Sequence, residues 1–494
     1  MKRNLLKTAI AFCVVGAGLG SLYGQEGYKA PLAESVSPVT MADDAELDNM
    51  VFPTSEWQTF ADVSWYSDAV NEFTLTTEAQ LAGLSKLVKE GNSFLGKTIS
   101  LGNDLDLGEH LWTAIGYTYR TPFSGNFDGK HHTIKNLKVY RGDNGDFLGL
   151  FGYYASGNLK DLTIDGGMVR GKDTAGVLVG NFTSGATMSN CHVKNGKLLA
   201  VYDPNYTTSA FNVGLLCGSV TSSSVVDYCS AEGVIKGFQQ VGGLVGSPWN
   251  KAVIKNSYFK GKVIGAYFVG GLSGFSTFAF TPNSEVLIED CYAMAEVMGA
   301  EHVGGFYGGL QVGKIKNSYS VSIVDGASGT VGGFVGSIGG GGVLENTHFN
   351  KTVAPMSGYG DAPAPGVDLM GHTTEAMKVQ SFLDLLNNNR TPEKWKFESG
   401  VNEGYPVIYD AATMGVSEIK KPNQVSIYPT VAKDKLYLSD KAQTYTYQVL
   451  DVTGRVLKSG KTNASVEVGD LNRGVYLLKL ENGQGYTVHK FMKD

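Results

Sequence analysis

Three carboxylates, Asp104, Asp106 and Asp128, form the first grouping in this chain whose types and spacing could do chemistry. Asp104 and Asp106 stand two apart, hence on one face of a strand, and Asp128 falls in a nearby loop. With backbone carbonyls they could hold Ca²⁺, a hard cation that takes oxygen ligands; the competing reading is that each caps a turn. No other cofactor is implied. His131-His132 reads as surface or packing, not as a ligand pair. Arg141-Gly142-Asp143, followed by Asn144-Gly145, is the tripeptide that integrins read, set on an exposed turn. Aromatic residues gather in and beside two long inserts: Trp249, Tyr267, Phe268, Phe278 and Phe280, with Tyr202, Tyr206, Phe211 and Phe275. Such rings can stack on sugars, bury at a protein interface, or cover the chain's own seams. There is no G-x-S-x-G elbow, no HExxH and no P-loop. Carboxylates are scattered through the middle of the chain and Arg is nearly absent there after Arg170, so the clustered charge of a polysaccharide lyase or hydrolase is missing.

The elements that would position these groups come from a repeat. FLGLFG (147–152), AGVLVG (175–180), VGLLCG (213–218), VGGLVG (241–246), VGGLSG (269–274), VGGFYG (303–308) and VGGFVG (331–336) end on glycines 28, 38, 28, 28, 34 and 28 residues apart. A fixed period of this size predicts stacked structural repeats, with the longer gaps as insertions on one edge. The column Leu150, Leu178, Leu216, Leu244, Leu272, Phe306, Phe334 is always large and apolar and should face inward. The column through Val245 varies more and is expected to face out. Val241 is also apolar, and a bend at Gly242-Gly243 would turn both Val241 and Leu244 to the core, glycine being tolerant of unusual φ/ψ. A second phrase keeps step: an apolar residue, any residue, then Asn136, Asp161, Asn190, Asp227, Asn256, Asp290, Asn317 or Asn346. These predict a side-chain ladder at a corner; five of the eight are neutral Asn, which argues against a row of Ca²⁺ ligands. About 4.8 Å of rise per turn makes eight turns a rod of roughly 40 Å.

Of the 494 residues 42% are hydrophobic and 65 are Gly, placed at repeat positions and not in low-complexity runs. Net charge is −6, with no basic stripe in the sequence, which excludes nucleic acid as a partner. Lys2, Arg3 and Lys7 precede the apolar run 9–19, which predicts a secretory signal peptide cut near Gly24-Gln25 and no transmembrane segment. Cys191, Cys217, Cys229 and Cys291 remain after cleavage; three sit in small-residue slots after the repeated Asn/Asp and read as buried thiols, a Cys191–Cys229 bridge between turns being the alternative.

The pattern divides the chain into a signal peptide (1–24), a partly disordered leader (25–72), an N-terminal capping segment (73–133), the repeats (134–350), a C-terminal cap (351–410), a linker (411–424) and a last small domain (425–494). Thr77 N-caps a helix carrying Leu81, Leu84, Leu87 and Val88, which would cover the open first turn. A short helix fits 374–386. Short alternating strands punctuated by glycines predict a β-sandwich over 425–494.

VGGLVG with its partner IKNSYFKG (254–261) resembles the GLUG repeat of bacterial surface proteins, and the block 75–137 and the tail 385–408 look like the segments that flank such repeats. The last domain is similar to the type A sorting domain of the type IX secretion system: Ile427-Tyr428-Pro429, Asp451-Val452-Thr453-Gly454-Arg455, Leu471 to Leu477 with Gly474 and Tyr476, and Lys490-Phe491 carry the likeness, with Thr430 where the family has Asn. The resemblance implies export across the outer membrane by that machinery, removal of the sorting domain, and anchoring on the cell surface. Together these readings predict an all-β protein: a parallel β-solenoid of about 28-residue repeats with a short N-terminal capping helix, plus a small C-terminal β-sandwich. It is expected to be a non-catalytic adhesion protein for a host or bacterial surface glycan or protein. A structural surface coat and a β-helix polysaccharide lyase or hydrolase are the alternatives.

Overall fold

Each period of the repeat lays its strands parallel to, and in register with, those of the period before. The computed structural model describes residues 44–142, 145–201, 211–276, 284–327, 329–361, 367–409, 425, 427–429, 431–439, 443–451, 455–482 and 485–494. Two compact units result, Met1–Tyr409 and Asp410–Asp494.

In the first unit Val213, Val241, Val269, Val303 and Val331 pair in succession within one parallel sheet. A second, larger parallel ladder takes the remaining strands of each period. The period returns the same kind of side chain to the same slot, so apolar columns stack. Leu150, Leu178, Leu216, Leu244, Leu272, Phe306 and Phe334 are all fully buried, and the last two rings stack at 4.6 Å. Burying each such side chain contributes about 1.5–3 kcal/mol.

The Val245 column runs against expectation. Phe151, Val179, Cys217, Val245, Ser273, Tyr307 and Val335 are all fully buried. The reason is the neighbouring glycine: a Cβ on Gly246 would lie 2.3 Å from the Val213 nitrogen, so the valine sheet closes that face and Val245 turns inward. Val241 and Leu244 do both face the core, but not because Gly242 and Gly243 adopt a left-handed φ, which neither does. Space is the reason. A Cβ on Gly243 would sit 2.2 Å from both the Phe259 ring and the Gly271 carbonyl oxygen.

The corner ladder forms. Asn136, Asp161, Asn190, Asn256, Asp290, Asn317 and Asn346 all take φ between 45° and 55°, a region Asn and Asp tolerate because their short side chains bond locally. Amide groups donate to the turn before: Asn190 Nδ2 to Asp161 (2.8 Å), Asn256 Nδ2 to Asp227 (2.7 Å), Asn346 Nδ2 to Asn317 (2.9 Å). Asp227 itself is one place out of frame. It pairs with Ser189 and Lys255, and Tyr228 holds the left-handed corner at φ 51°.

The stack is longer than 134–350. Glu72–Leu75, Thr98–Leu101 and Asn126–Asp128 already form parallel rungs, and Val367–His372 adds one at the other end. Helix α1 covers Ala45–Asp48 and α2 Glu78–Lys89. Thr77 caps α2 by accepting the Gln80 N–H, and Leu81, Leu84 and Val88 join the main core with Phe73 and Leu75. Residues 44–72, assigned to the leader by composition, are held on the fold: Leu47 is fully buried and Trp57 Nε1 donates to the Leu107 carbonyl at 3.1 Å. Helix α3, Gln380–Asn387, packs on the flank of the late rungs, with Phe382, Leu386 and Trp395 against Tyr292 and Tyr319. There Arg390 forks onto the buried Asp290 at 2.8 and 2.6 Å, and Trp395 Nε1 donates to the same carboxylate at 3.1 Å. The four cysteines among the described residues are free and buried; Cys191, Cys229 and Cys291 share an interior column with Ser257 and Ser318.

In the second unit a three-stranded antiparallel sheet and a five-stranded sheet share one core containing Leu436, Leu438, Tyr445, Val449, Val466, Leu478 and Phe491. Tyr476 stacks on Phe491 at 5.7 Å and donates its hydroxyl to the Asn472 carbonyl at 2.9 Å. A Cβ on Gly474 would touch the Tyr476 ring at 3.6 Å. Tyr428, beside Pro429, is 48% exposed and stacks on Tyr437, and Lys490 is exposed in the strand paired with Leu477. Gly454 lies outside the described residues.

Candidate functional site

The edge of the valine sheet concentrates unusual backbone and varied chemistry. Before six of the seven column positions, all but Val331, the residue is left-handed without being glycine: Phe147, Thr174, Asn212, Gln240, Phe268 and His302 have φ of 54°, 46°, 53°, 55°, 53° and 55°. Such conformations cost of order 1–3 kcal/mol each and persist where neighbours over-determine them. Here the in-register ladder on both sides does so.

One stretch of this edge is aromatic. Phe268 stacks face to face on His302 (4.5 Å, 3°) and leans on Phe275 (4.3 Å). Tyr267 meets Phe238 edge-on at 5.5 Å. The cluster is separate from the main core. Burial pushes the His302 pKa down, so its ring is neutral and stacks without a charge cost.

At the other stretch two carboxylates lie side by side. Asp146 and Asp173 are directly paired on adjacent strands. Burial raises both; Asp173, with the charge of Asp146 adding to the effect, is pushed up to about 7. Asp173 accepts the Thr174 N–H at 2.8 Å, whereas Asp146 Oδ1 is buried with no hydrogen-bond partner among the described residues. Burial and the neighbouring Asp146 charge both disfavour the ionised form of Asp173, so this carboxyl can hold a proton near neutrality. Sequence reasoning missed it because the two are a period apart. Aligning them on Leu148 and Ala175, which also pair, would have shown it.

The residues singled out from sequence meet different fates. Tyr267 and Phe268 are only 5% and 7% exposed. Trp249 stands outside their cluster, with Nε1 donating to Ser219 Oγ at 3.2 Å. Phe278, Phe280, Tyr202 and Tyr206 lie outside the described residues, as do Gly24, Gln25, Asp143 and Asn144. Arg141 stacks on Tyr117 at 3.5 Å and donates to the Asp146 carbonyl at 2.7 Å. The three aspartates do not converge. Asp104 accepts the Thr133 N–H and pairs with His132; Asp106 accepts from Gly108 and Asn136; Asp128 bonds Lys130 and Lys160, both at 2.9 Å. Asp106 and Asp128 each accept an N–H within their own turn, from Gly108 and Lys130, whereas Asp104 bonds to the next rung. Among the described residues no three His, Cys, Asp or Glu side chains gather as a metal site. Burial pushes the Cys191, Cys217 and Cys291 thiols up, which keeps them protonated and unreactive. No helix among the described residues is long and apolar enough to cross a membrane.

Comparison with known proteins adds the address. Residues 426–494 match the secretion system C-terminal sorting domain and residues 239–264 match the GLUG motif. The chain therefore engages the type IX secretion machinery and is exported, to the cell surface or beyond it. It is similar, at 26% identity over 224 residues, to the immunoglobulin A1 protease of Streptococcus pneumoniae and to the protein of the same name from strain ATCC BAA-255 / R6. Each match covers 38% of this chain and 11% of the relative, so the chain spans about a tenth of the length of those curated relatives. A crystal structure of a Bacteroides ovatus protein, provisionally named an immunoglobulin A1 protease, is 20% identical and aligns over 71% of this chain and 95% of that one, with a TM-score of 0.44.

Proposed function

We propose that this exported chain is a parallel β-solenoid that works as a surface-displayed binding or adhesion protein, and that the edge of the valine sheet receives its ligand. The observation that carries this reading is the run of left-handed, non-glycine residues along that edge, from Phe147 to His302, held in a strained backbone by in-register neighbours on both sides, except Phe147, whose strand ends the sheet. Backbone strain kept over six successive rungs presents side chains at a fixed spacing, which suits an extended ligand. The half-buried His302 ring, backed by the buried Phe268 and Phe275, offers a stacking surface for a sugar or for an aromatic-rich peptide. The test is binding of the full chain to a glycan array and a panel of extracellular-matrix proteins. A saturable hit weakened by Phe268→Ala or Trp249→Ala supports the reading; a blank on both panels overturns it and leaves a structural coat.

One observation favours a second reading. Asp146 and Asp173 are neighbouring buried carboxyls with raised pKa, and Asp173 can stay protonated near neutrality, as the acid of a glycoside-hydrolysing pair must. Release of reducing ends from an acidic or neutral polysaccharide, abolished by Asp173→Asn, would establish it.

A further inference from the structure

A second surface, on another flank of the stack, carries a regular charge pattern. Five consecutive strands, Lys138–Tyr140, Met168–Gly171, Thr187–Ala200, Ser230–Lys236 and Tyr258–Ile264, lie side by side. Two of their columns alternate. One reads Lys138, Met168, Lys197, Val234, Lys262; the other reads Tyr140, Arg170, Leu199, Lys236, Ile264. Every rung thus bears one cation and one apolar side chain, and the cation changes column at each step. Glu296 on the next rung ends the pattern. Four rung spacings make the stripe about 19 Å long.

The chain's own residues 44–52 run along the whole of this stripe, from Tyr140 to Lys262. Asp44, Glu46 and Asp48 reach three of the five cations: Asp44 to Lys262 at 3.1 Å, Glu46 to Lys197 at 2.9 Å, Asp48 to Lys236 at 3.8 Å. Between these pairs Leu47 and Met50 pack on Leu199 with Val234 and Met168 alongside, and Phe52 stacks on Tyr140 at 5.4 Å. The strap therefore repeats the chemistry of the stripe in complement, carboxylate against cation and apolar group against apolar group. Its anchorage is a single short helix, α1, three ion pairs of modest individual worth, and the apolar contacts of Leu47, Met50 and Phe52.

We propose that this checkerboard is a binding stripe for a linear polyanionic glycan, and that residues 44–52 are an internal occupant which the glycan displaces. The inference rests on the reading of the chain as a surface glycan binder and names the ligand class. A chain of sugar acids offers alternating carboxylates and apolar ring faces at a regular repeat, as the strap does. Nucleic acid fits less well: its phosphates lack interleaved apolar faces, and the chain's net charge of −6 opposes it. Partial burial, with the positive charge of Lys197 adding to it, lowers the pKa of Lys138.

The experiment is titration of the full chain with polygalacturonate and with dextran sulfate, which separate carboxylate from sulfate recognition, alongside neutral dextran and duplex DNA. The variant Asp44→Asn/Glu46→Gln/Asp48→Asn is expected to bind one of the two polyanions about tenfold more tightly than the parent, with a steep salt dependence. Adding Lys197→Glu and Lys262→Glu is expected to abolish that binding. Phe52→Ala, which loosens the strap without altering charge, should move affinity in the same direction and stands in if the triple variant does not fold. Unchanged affinity in both strap variants overturns the proposal, as does equal binding of DNA or of neutral dextran. Parental binding to a neutral glycan or a protein, indifferent to every one of these changes, overturns the proposal and leaves the adhesion reading intact.

Discussion

Replacing Asp173 by Asn should stabilise the protein at alkaline pH and leave it almost unchanged at acid pH. Asp173 is 9% exposed, directly paired with Asp146, and its carboxyl is raised from 3.8 to about 7, chiefly by burial. In the unfolded chain it ionises near 3.8, so between pH 4 and 7 the folded state holds a proton that the unfolded state has released. Stability from this group is therefore present at low pH and lost as pH rises through 7. At about 1.4 kcal/mol per pKa unit, a shift of roughly three units makes the ionised side chain cost about 4 kcal/mol at pH 8. At pH 5 roughly 2–3 kcal/mol of that has been recovered. Asparagine keeps the acceptor for the Thr174 N–H, 2.8 Å away, and carries no charge. Urea unfolding of parent and Asp173→Asn at pH 5, 6, 7 and 8 isolates the effect as a difference, so other titrating groups cancel. The variant should lead by a few kcal/mol at pH 8, and the gap should shrink steadily below pH 7. A variant equal to or weaker than the parent at pH 8, or a gap that does not vary with pH, would refute a buried Asp173 carboxyl that stays protonated near neutrality.

His348 should act with the opposite sign. Burial, with the charge of His372 adding to it, depresses it to about 3, while Asn346 Oδ1 holds Nε2 at 2.9 Å. The stability it supports is complete above pH 6.5 and falls by about 2 kcal/mol by pH 5; His348→Gln should flatten that part of the profile in the same unfolding series. Arg390→Ala strips the partner from Asp290, whose side chain is 5% exposed, and should cost about 3–5 kcal/mol. Its signature is a lower thermal midpoint with early proteolysis within 367–409, because α3 and Trp395 depend on the same carboxylate.

Some of the structure could be read directly from residue order. The 28-residue return of Val241, Leu244 and Asn256 required neighbouring periods to stack, because no single period can bury its own apolar residues. Thr77 and the leucines after it identified α2, and the tail motifs around Tyr476 and Lys490 identified the sorting domain. All of these are local or periodic patterns. The inward turn of Val245 was not legible: it depends on the backbone of one sheet closing over Gly246, a contact between different turns. Nor was the frame of Asp227, where Tyr228 holds the corner because the ladder, not side-chain type, sets the register.

The sequence by itself determined the period, the apolar columns, the corner amides and the export address, since each is carried by residue type at a fixed spacing. Only the tertiary structure decided which groups act together. Asp146 and Asp173 meet because two rungs are in register. The five cations from Lys138 to Lys262 form one stripe because five separate strands are adjacent, and the segment at Asp44 covers it because the chain folds back across them. Linear order places neighbours among those residues between 26 and 39 positions apart, or, for Asp44 and Lys262, across nearly half the chain. A rung spacing of about 4.8 Å turns that separation into contact.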